Sequence, residues 1–351
     1  MNAILSDQVL WALGLLILLL LGMALFFAAF TFFLRLRNER EARRWEELER
    51  TWEPALMEVL AHPEEVEALW EKVGPNDHLR FLEFVLLYAQ RLGGSERETL
   101  GRAAAPYLPE LLPLRSHRRV GIRARAIQTL GTLGLPRYLE EVKEAVRDPS
   151  PYVAAIAARI LAHEVGPEVA PDLCRNLERF HTFRIWYLVD MVVAMGPGAI
   201  PAIRGTLADE RASLRSRAVA AHSLSVLMDL GSADLAANLT VREEDPELLT
   251  SLLRLLSQVG TADHTPAVRA HLDSEEFFVR AAATRTLAEL GEEGDLPLLV
   301  EKLSDASAWV RMAAARGVYR LGGKATLTAL SREEDPATPL FHQVLAEEAG
   351  R

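Results

Sequence analysis

The sequence predicts an all-α fold: a right-handed α-solenoid of about eight helix pairs, preceded by one transmembrane helix and a helical stalk. Three observations predict it. An uncharged apolar run lies near the N-terminus, a charged segment follows it, and the remaining chain repeats an amphipathic helix that ends at a glycine. The composition agrees, because half of the residues are hydrophobic and only 7% are aromatic, a balance that favours helices over sheets.

The apolar run covers residues 8–34 and follows a short tail of residues 1–7. Its sequence is QVLWALGLLILLLLGMALFFAAFTFFL. At about 1.5 Å per residue, this run is long enough to cross a hydrocarbon core about 30 Å thick. A cleaved signal peptide would carry its positive charge before a shorter apolar stretch, whereas here the positive charge comes after it. We therefore expect residues 8–34 to anchor the chain in a lipid bilayer.

The charges around this run predict its orientation. The tail contains Asp7 and no Lys or Arg, whereas five arginines follow the run: Arg35, Arg37, Arg40, Arg43 and Arg44. By the positive-inside rule, the tail lies outside and everything from residue 35 onward lies in the cytoplasm. The protein is then a single-pass protein of the inner (cytoplasmic) membrane, and the five arginines are candidates for contact with its surface. The single cysteine, Cys174, agrees with a reducing compartment, because a lone thiol cannot form an internal disulfide.

Residues 35–53 predict a charged helical stalk. They contain neither glycine nor proline, and oppositely charged residues lie four apart at Glu39 and Arg43 and at Glu46 and Arg50, a spacing that supports a helix. The segment lacks the apolar seam of a coiled coil. We therefore expect a solvated spacer here, with the repeat domain at residues 54–351.

The chain after the stalk repeats one pair of helices. The second helix of each pair is amphipathic and ends at a glycine: Gly134, Gly166, Gly196, Gly231, Gly260, Gly291 and Gly322. Glycine is typical of the left-handed residue just past a helix. A shorter helix precedes each one, as in DLPLLVEKLSD at 295–305. Because one pair cannot bury its apolar face alone, neighbouring pairs must stack around one continuous core.

Two copies carry the most specific pattern. Asp273 precedes FVRAAATRTLAELG, and Asp305 precedes WVRMAAARGVYRLG. With these residues the chain resembles the HEAT-repeat superfamily, specifically its short bacterial form, the phycobilin-lyase-type HEAT-like repeats. The resemblance covers the chain from about residue 54 to the end and is clearest over 120–322. It implies a curved solenoid of antiparallel helix pairs. It also implies that each arginine after Val or Leu pairs with the acid six or seven residues upstream, which gives Arg215 with Asp209, Arg280 with Asp273 and Arg311 with Asp305.

No catalytic pattern is present, and we expect neither an enzyme nor a cofactor or metal site. The chain has no Walker loop, dinucleotide fingerprint, nucleophile elbow or zinc-ligand spacing, and no small-molecule substrate is evident. Its net charge of −10 argues against a nucleic-acid binder. The sequence favours a scaffold or adaptor that recruits or regulates a membrane-associated protein partner. Two alternatives stay open: a bilin-lyase-like or other modifying enzyme, and a purely structural membrane tether or oligomerisation platform.

The candidate partner-binding residues lie on one face of the second helices. Position six before the glycine lies off the core face, and three copies place an arginine there. The aromatic copy RFHTFRIWYLVDMVVAMG at 179–196 places an aspartate there, beside two large aromatic residues. The six candidates are Arg254, Arg285, Arg316, Asp190, Trp186 and Tyr187. Solenoids hold partners on such extended surfaces, and Trp, Tyr and Arg are enriched at interface hot spots. Surface charge without a partner is the alternative.

A second candidate surface lies in the basic run LRSHRRVGIRAR at 114–125, which contains no acid. We expect Arg115, Arg118 and Arg119 to touch anionic lipid head groups or an acidic partner. A solvated helix start is the alternative.

Overall fold

The computed structural model describes residues 2–330 and 338–349, and all regular structure in these ranges is helical. The predicted all-α class is confirmed. The predicted tail (1–7) and repeat domain (54–351) each include some residues outside the described ranges. The chain divides into two compact units. The first comprises Met1–Leu112 with Thr132–Gly134, and the second comprises Pro113–Gly131 with Leu135–Arg351.

The first unit is built on one uninterrupted helix of 60 residues, α1 (Asn2–Ala61). Three shorter helices follow it: α2 (Val66–Trp70), α3 (His78–Ala89) and α4 (Gly94–Ala104). The described apolar part of α1 is exposed, from Leu18 to Phe33. By length and composition, α1 could cross a membrane.

The last part of α1 is packed, which differs from the solvated stalk predicted over residues 35–53. Leu48, Trp52, Leu56 and Val59 are all buried, and their spacing puts them on one face of the helix. The Trp52 ring lies 5.3 Å from that of Phe81, and its indole Nε1 donates a hydrogen bond to a backbone carbonyl at 3.2 Å. This apolar stripe continues through Pro54, which lies inside α1. The predicted boundary between residues 53 and 54 therefore falls within one helix.

The second unit consists of helix pairs in two layers. The first helices of the pairs are α6 (Leu139–Ala145), α8 (Ala170–Arg175), α10 (Ile200–Ala208), α12 (Ala233–Arg242), α14 (Thr265–Arg269) and α16 (Leu296–Glu301). The second helices are α5 (Val120–Leu133), α7 (Pro151–Glu164), α9 (Ile185–Val193), α11 (Leu214–Val226), α13 (Pro246–Val259), α15 (Phe277–Leu290) and α17 (Ala308–Leu330), and α18 (Thr338–Ala349) packs on α17. From α7 to α17, each second helix packs on the next.

One continuous core runs through this unit, from Ala124 in α5 to Val344 in α18. The positions predicted to face the core do so in the aromatic copy, where Leu188, Val192 and Met195 are buried. Helices α9 and α10 together are also apolar enough for a membrane span, but they are bent by 104° and their apolar side chains belong to this core.

Four of the repeat glycines end their helices for two different reasons, whereas Gly322 lies inside α17 and does not end it. Gly166 and Gly196 have φ values of +75° and +78°, the positive φ that the sequence predicts and that favours glycine. Gly260 and Gly291 have φ values of −75° and −69°, so the left-handed prediction is wrong there. A β-carbon at either position would lie within 2.6 Å of the carbonyl oxygen four residues earlier. These two glycines are required by the lack of space.

Ion pairs join successive repeats, with different partners from those predicted. Arg280 binds both carboxylate oxygens of Asp305 at 2.8 and 3.1 Å, and Arg123 binds those of Asp148 at 2.9 Å. Each acid lies 25 residues after its arginine. Each guanidinium therefore links its own repeat to the following one.

The predicted pairing within one loop is wrong. Backbone carbonyls accept hydrogen bonds from part of each guanidinium, and those N–H groups are then not available to the upstream acid. Arg280 Nη1 donates to the carbonyl of Ser274 at 2.7 Å, and Arg311 Nη1 donates to the carbonyl of Asp305 at 2.7 Å. Arg215 donates to the carbonyl of Phe183. In Arg280, the remaining edge of the guanidinium then faces the acid of the next repeat.

Candidate functional site

Three predicted residues form a row on the second helices. Arg254, Arg285 and Arg316 lie on α13, α15 and α17, each six residues before its repeat glycine, and all three are exposed. We call them the arginine row. Partial burial lowers the pKa of Arg285, and the charges of Arg254 and Arg316 lower it further, with Glu289 acting in the opposite direction. The three like charges are therefore neighbours in space.

Trp186 extends this row toward the preceding repeats. Its ring is 48% exposed and lies 5.7 Å from the guanidinium carbon of Arg254, a cation–π geometry. The ring also packs on His222 of α11, with a centroid separation of 4.9 Å. Trp186 thus reaches over α11 to a residue on α13.

Sequence reasoning missed His222, which supports the Trp186 ring. Its Nε2 lies 3.2 Å from Ser251 Oγ, and its buried Nδ1 has no hydrogen-bond partner within the described ranges. Burial lowers the pKa of His222 to about 4, and the charge of Arg254 lowers it as well. The imidazole is therefore neutral at pH 7. It occupies the same repeat position as Tyr187, nine residues before the glycine, which is the signal that could have identified it.

The two ends of the arginine row differ in charge compensation. Arg316 pairs with Glu347 of α18 at 2.9 Å. Arg254 and Arg285 make no ion pair with any residue in the described part of the chain. Two neighbouring guanidiniums are therefore left without a carboxylate partner.

A cleft with a volume of about 260 Å³ lies between these two guanidiniums. Helices α11, α13 and α15 line it, and no carboxylate is among its lining side chains. The hydroxyls of Thr250 and Ser257 donate to backbone carbonyls, both at 2.8 Å. The side-chain N–H donors that line the cleft are then those of Arg254, Arg285 and Gln258. Such a cleft has the chemistry of an anion-binding site.

Tyr187 and Asp190 occupy different surroundings. Tyr187 is half-buried, its ring stacks on Phe183 at 5.1 Å, and the charge of Arg159 lies near its phenol. Burial raises the pKa of this phenol. Asp190 is exposed and makes no ion pair within the described ranges. The structure therefore brings Trp186 to the arginine row, whereas Tyr187 packs with the preceding loop.

Three of the eight arginines predicted at a membrane surface hold acids of this chain. Arg35 pairs with the glutamate four residues later at 2.9 Å, Arg44 with Asp77 at 2.8 Å and Arg115 with Glu144 at 2.9 Å. The other five are exposed and make no ion pair with a described residue. They are Arg37, Arg40, Arg43, Arg118 and Arg119.

Groups that could support catalysis are sparse in the described part of the chain. No three His, Cys, Asp or Glu side chains converge there as metal ligands would. Cys174 is buried, and burial raises the pKa of its thiol to about 11. The thiol is therefore protonated at neutral pH and is a poor nucleophile.

Comparison with known families agrees with the architecture. The family model for HEAT repeats matches residues 108–184 and 233–319. These matches support assignment of the chain to the HEAT-repeat superfamily. HEAT repeats generally form scaffolds for protein–protein interaction and are typically non-enzymatic. The unmatched residues 185–232 continue the same helix pairs through α9, α10 and α11. No curated protein shows significant similarity to this HEAT-repeat protein.

Proposed function

We propose that this HEAT-repeat protein is a noncatalytic scaffold or adaptor that binds a protein partner at a membrane. The partner binds to the face formed by the arginine row and Trp186, and the protein recruits or regulates that partner. The observation that carries this proposal is the contact between the exposed Trp186 ring and Arg254. Tryptophan and arginine are the residue types that dominate interface hot spots.

The charges of this face indicate the nature of the partner. Arg254 and Arg285 are neighbours that repel each other, and no described carboxylate forms an ion pair with either of them. An acidic surface on the partner would relieve that repulsion and would accelerate association. The whole chain carries a net charge of −10, so a basic patch on it is a local feature that discriminates between partners.

The same proposal places residues 8–34 in a bilayer, with the tail outside and the solenoid in the cytoplasm of a bacterial cell. Support comes from the exposed apolar part of α1 and from the arginines that follow it. Arg37, Arg40 and Arg43, which have no ion pair in the described ranges, are available to anionic head groups. We extend the lipid contact to Arg118 and Arg119 on the same ground.

The orientation has its own test, which uses a green fluorescent protein fused to the C-terminus and alkaline phosphatase fused to the same site. A cytoplasmic C-terminus gives fluorescence and no phosphatase activity. The opposite pattern would contradict the orientation and leave the binding face untouched.

Affinity capture from native membranes in mild detergent tests the binding face. The test variant is Arg254→Glu with Arg285→Glu. The matched control is Arg211→Glu with Arg242→Glu, two exposed arginines of the same unit that lie outside the arginine row. We expect recovery of the bound partner to fall at least tenfold in the test variant only, with unchanged circular dichroism. Equal recovery in both variants would contradict the proposal and would favour a structural tether that binds no partner at this face.

A further inference from the structure

We propose that the cleft between α11, α13 and α15 binds a phosphomonoester carried by the protein partner, such as a phosphorylated serine or threonine. This inference deepens the proposed function and rests on it, because it names the chemical group that the arginine row recognises. Three features of the described residues support it: the charge of the cleft, its donors and volume, and the fixed position of Arg254.

The charge of the cleft matches a doubly charged anion. Arg254 and Arg285 lie on successive second helices, both are exposed, neither forms an ion pair with a described residue, and no carboxylate lines the cleft. A phosphomonoester carries a charge of about −1.5 to −2 at pH 7 and offers three acceptor oxygens. Two guanidiniums can therefore each form a forked pair of hydrogen bonds with one phosphoryl group.

A carboxylate suits this cleft less well. At the end of the arginine row, Arg316 pairs with the single carboxylate of Glu347 at 2.9 Å. The cleft instead places two guanidiniums and the Gln258 amide around a single volume of about 260 Å³. This is several times the space of one water molecule, about 30 Å³ in the liquid. A phosphoryl group and part of its carrier side chain fit such a space, and a single carboxylate leaves one guanidinium uncompensated.

Arg254 is held in position before a ligand arrives. The Trp186 ring covers its guanidinium at 5.7 Å, and His222 supports the ring from beneath. A preorganised arginine loses less conformational freedom on binding than a mobile one. Trp186 is therefore a positioning residue for the anion site, and it can make van der Waals contact with the peptide that carries the phosphate.

Isothermal titration of the full chain in detergent micelles tests the site. The probes are N-acetyl-phosphoserine amide, the corresponding serine and glutamate amides, and inorganic phosphate. We expect the phosphoserine probe to bind at least tenfold more tightly than the glutamate probe. Binding of inorganic phosphate should be weaker than binding of the phosphoserine probe, because it lacks the carrier contacts.

Variants assign the binding to the cleft. Arg254→Gln and Arg285→Gln should each weaken phosphoserine binding at least tenfold. Arg254→Lys, which keeps the charge and loses the fork, should weaken it at least threefold, and Arg242→Gln should leave it unchanged. All four residue changes lie at exposed positions, and circular dichroism confirms that each variant is folded.

Four results would overturn the inference: equal binding of the glutamate probe, equal binding of inorganic phosphate, insensitivity to both arginine-to-glutamine variants, or arginine-dependent binding to phosphatidic acid vesicles with no phosphoserine binding. Phosphatase treatment of the membranes separates this inference from the proposed function. If partner recovery depends on the arginine row but survives dephosphorylation, the partner-binding face stands and the phosphate site falls. If phosphoserine binds the cleft but partner recovery ignores the arginine row, the site stands and the proposed function falls.

Discussion

Replacing Asp305 by alanine should loosen the junction between α15 and α17. The carboxylate of Asp305 accepts two hydrogen bonds from Arg280, at 2.8 and 3.1 Å, and one from the backbone N–H of Ser307 at 2.7 Å. The side chains of Arg280 and Asp305 are 17% and 9% exposed. Removing one partner of a fully buried ion pair costs about 3–5 kcal/mol. Because this pair retains some exposure, we expect a loss of about 2–3 kcal/mol.

Asp273→Ala is the matched control for this prediction. Asp273 also forms an ion pair with a neighbouring repeat, through Lys302, but its side chain is 85% exposed. Lys302 is buried but keeps Glu301 as a second partner at 3.0 Å, and water screens the exposed carboxylate of Asp273, so we expect a loss below about 1 kcal/mol.

Hydrogen–deuterium exchange of the full chain measures both effects, because repeats contact only their neighbours and open locally. A loss of about 2–3 kcal/mol corresponds to a decrease in amide protection of about 30- to 150-fold in α15 and α17. The reasoning would be refuted if amide protection of α15 and α17 differed by less than threefold between the Asp305 variant and the Asp273 variant.

Three further predictions concern packing, pH and thiol chemistry. A β-carbon at Gly317 would lie 2.8 Å from the β-carbon of Ala288 on α15, so Gly317→Ala should cost about 1–3 kcal/mol of stability. Gly205 faces open space, so Gly205→Ala should stabilise the protein by up to about 1 kcal/mol. A similar Tm for the two variants would contradict this prediction. Burial alone would raise the pKa values of Asp148 and Asp305, but hydrogen bonds from arginine and from backbone N–H groups outweigh it and lower both. Their stabilisation is therefore complete above the unfolded pKa, about 3.9, and is lost as pH falls through the folded values; Tm should drop below about pH 4, and asparagine at both positions should flatten that drop. The Cys174 thiol, with its pKa raised to about 11, should react with a disulfide reagent at pH 8 at least 100-fold more slowly in the native protein than in urea, and equal rates would show that it is accessible.

The fold was largely predictable because burial repeats with the helix period. Leu188, Val192 and Met195 could be placed in the core from their spacing before Gly196 alone. The partners of the repeat arginines could not be predicted in this way. Arg280 has an acid seven residues before it and another 25 residues after it, and both lie in a loop that precedes a second helix. The choice depends on which edge of the guanidinium the loop carbonyls occupy, and a one-dimensional pattern does not contain that information.

The residues of the candidate site that occupy one repeat position could be predicted from the sequence. The contact between side chains of non-adjacent second helices could not. The arginine row follows from one position in each of three successive copies. The contact between Trp186 and Arg254 joins α9 to α13 across α11, and it depends on the side chain of His222 between them. Tyr187 was placed on the partner face by its position, but it lies in the first turn of α9 and packs on Phe183 of the preceding loop.

Because α1 is continuous, the number of residues between its apolar run and Trp52 fixes the angle between these two faces of the helix. The helix carries its apolar run and its buried Trp52 without a break, and each residue turns a helix by about 100°. Inserting a single residue near Arg40 would therefore turn the two faces by about 100° relative to each other, while a change of seven residues would nearly restore them. Any rotation of the apolar part about its axis is transmitted as torque to the Trp52 and Phe81 packing. The number of residues in the charged segment thus sets both the angle and the distance between the apolar run and the packed end of α1.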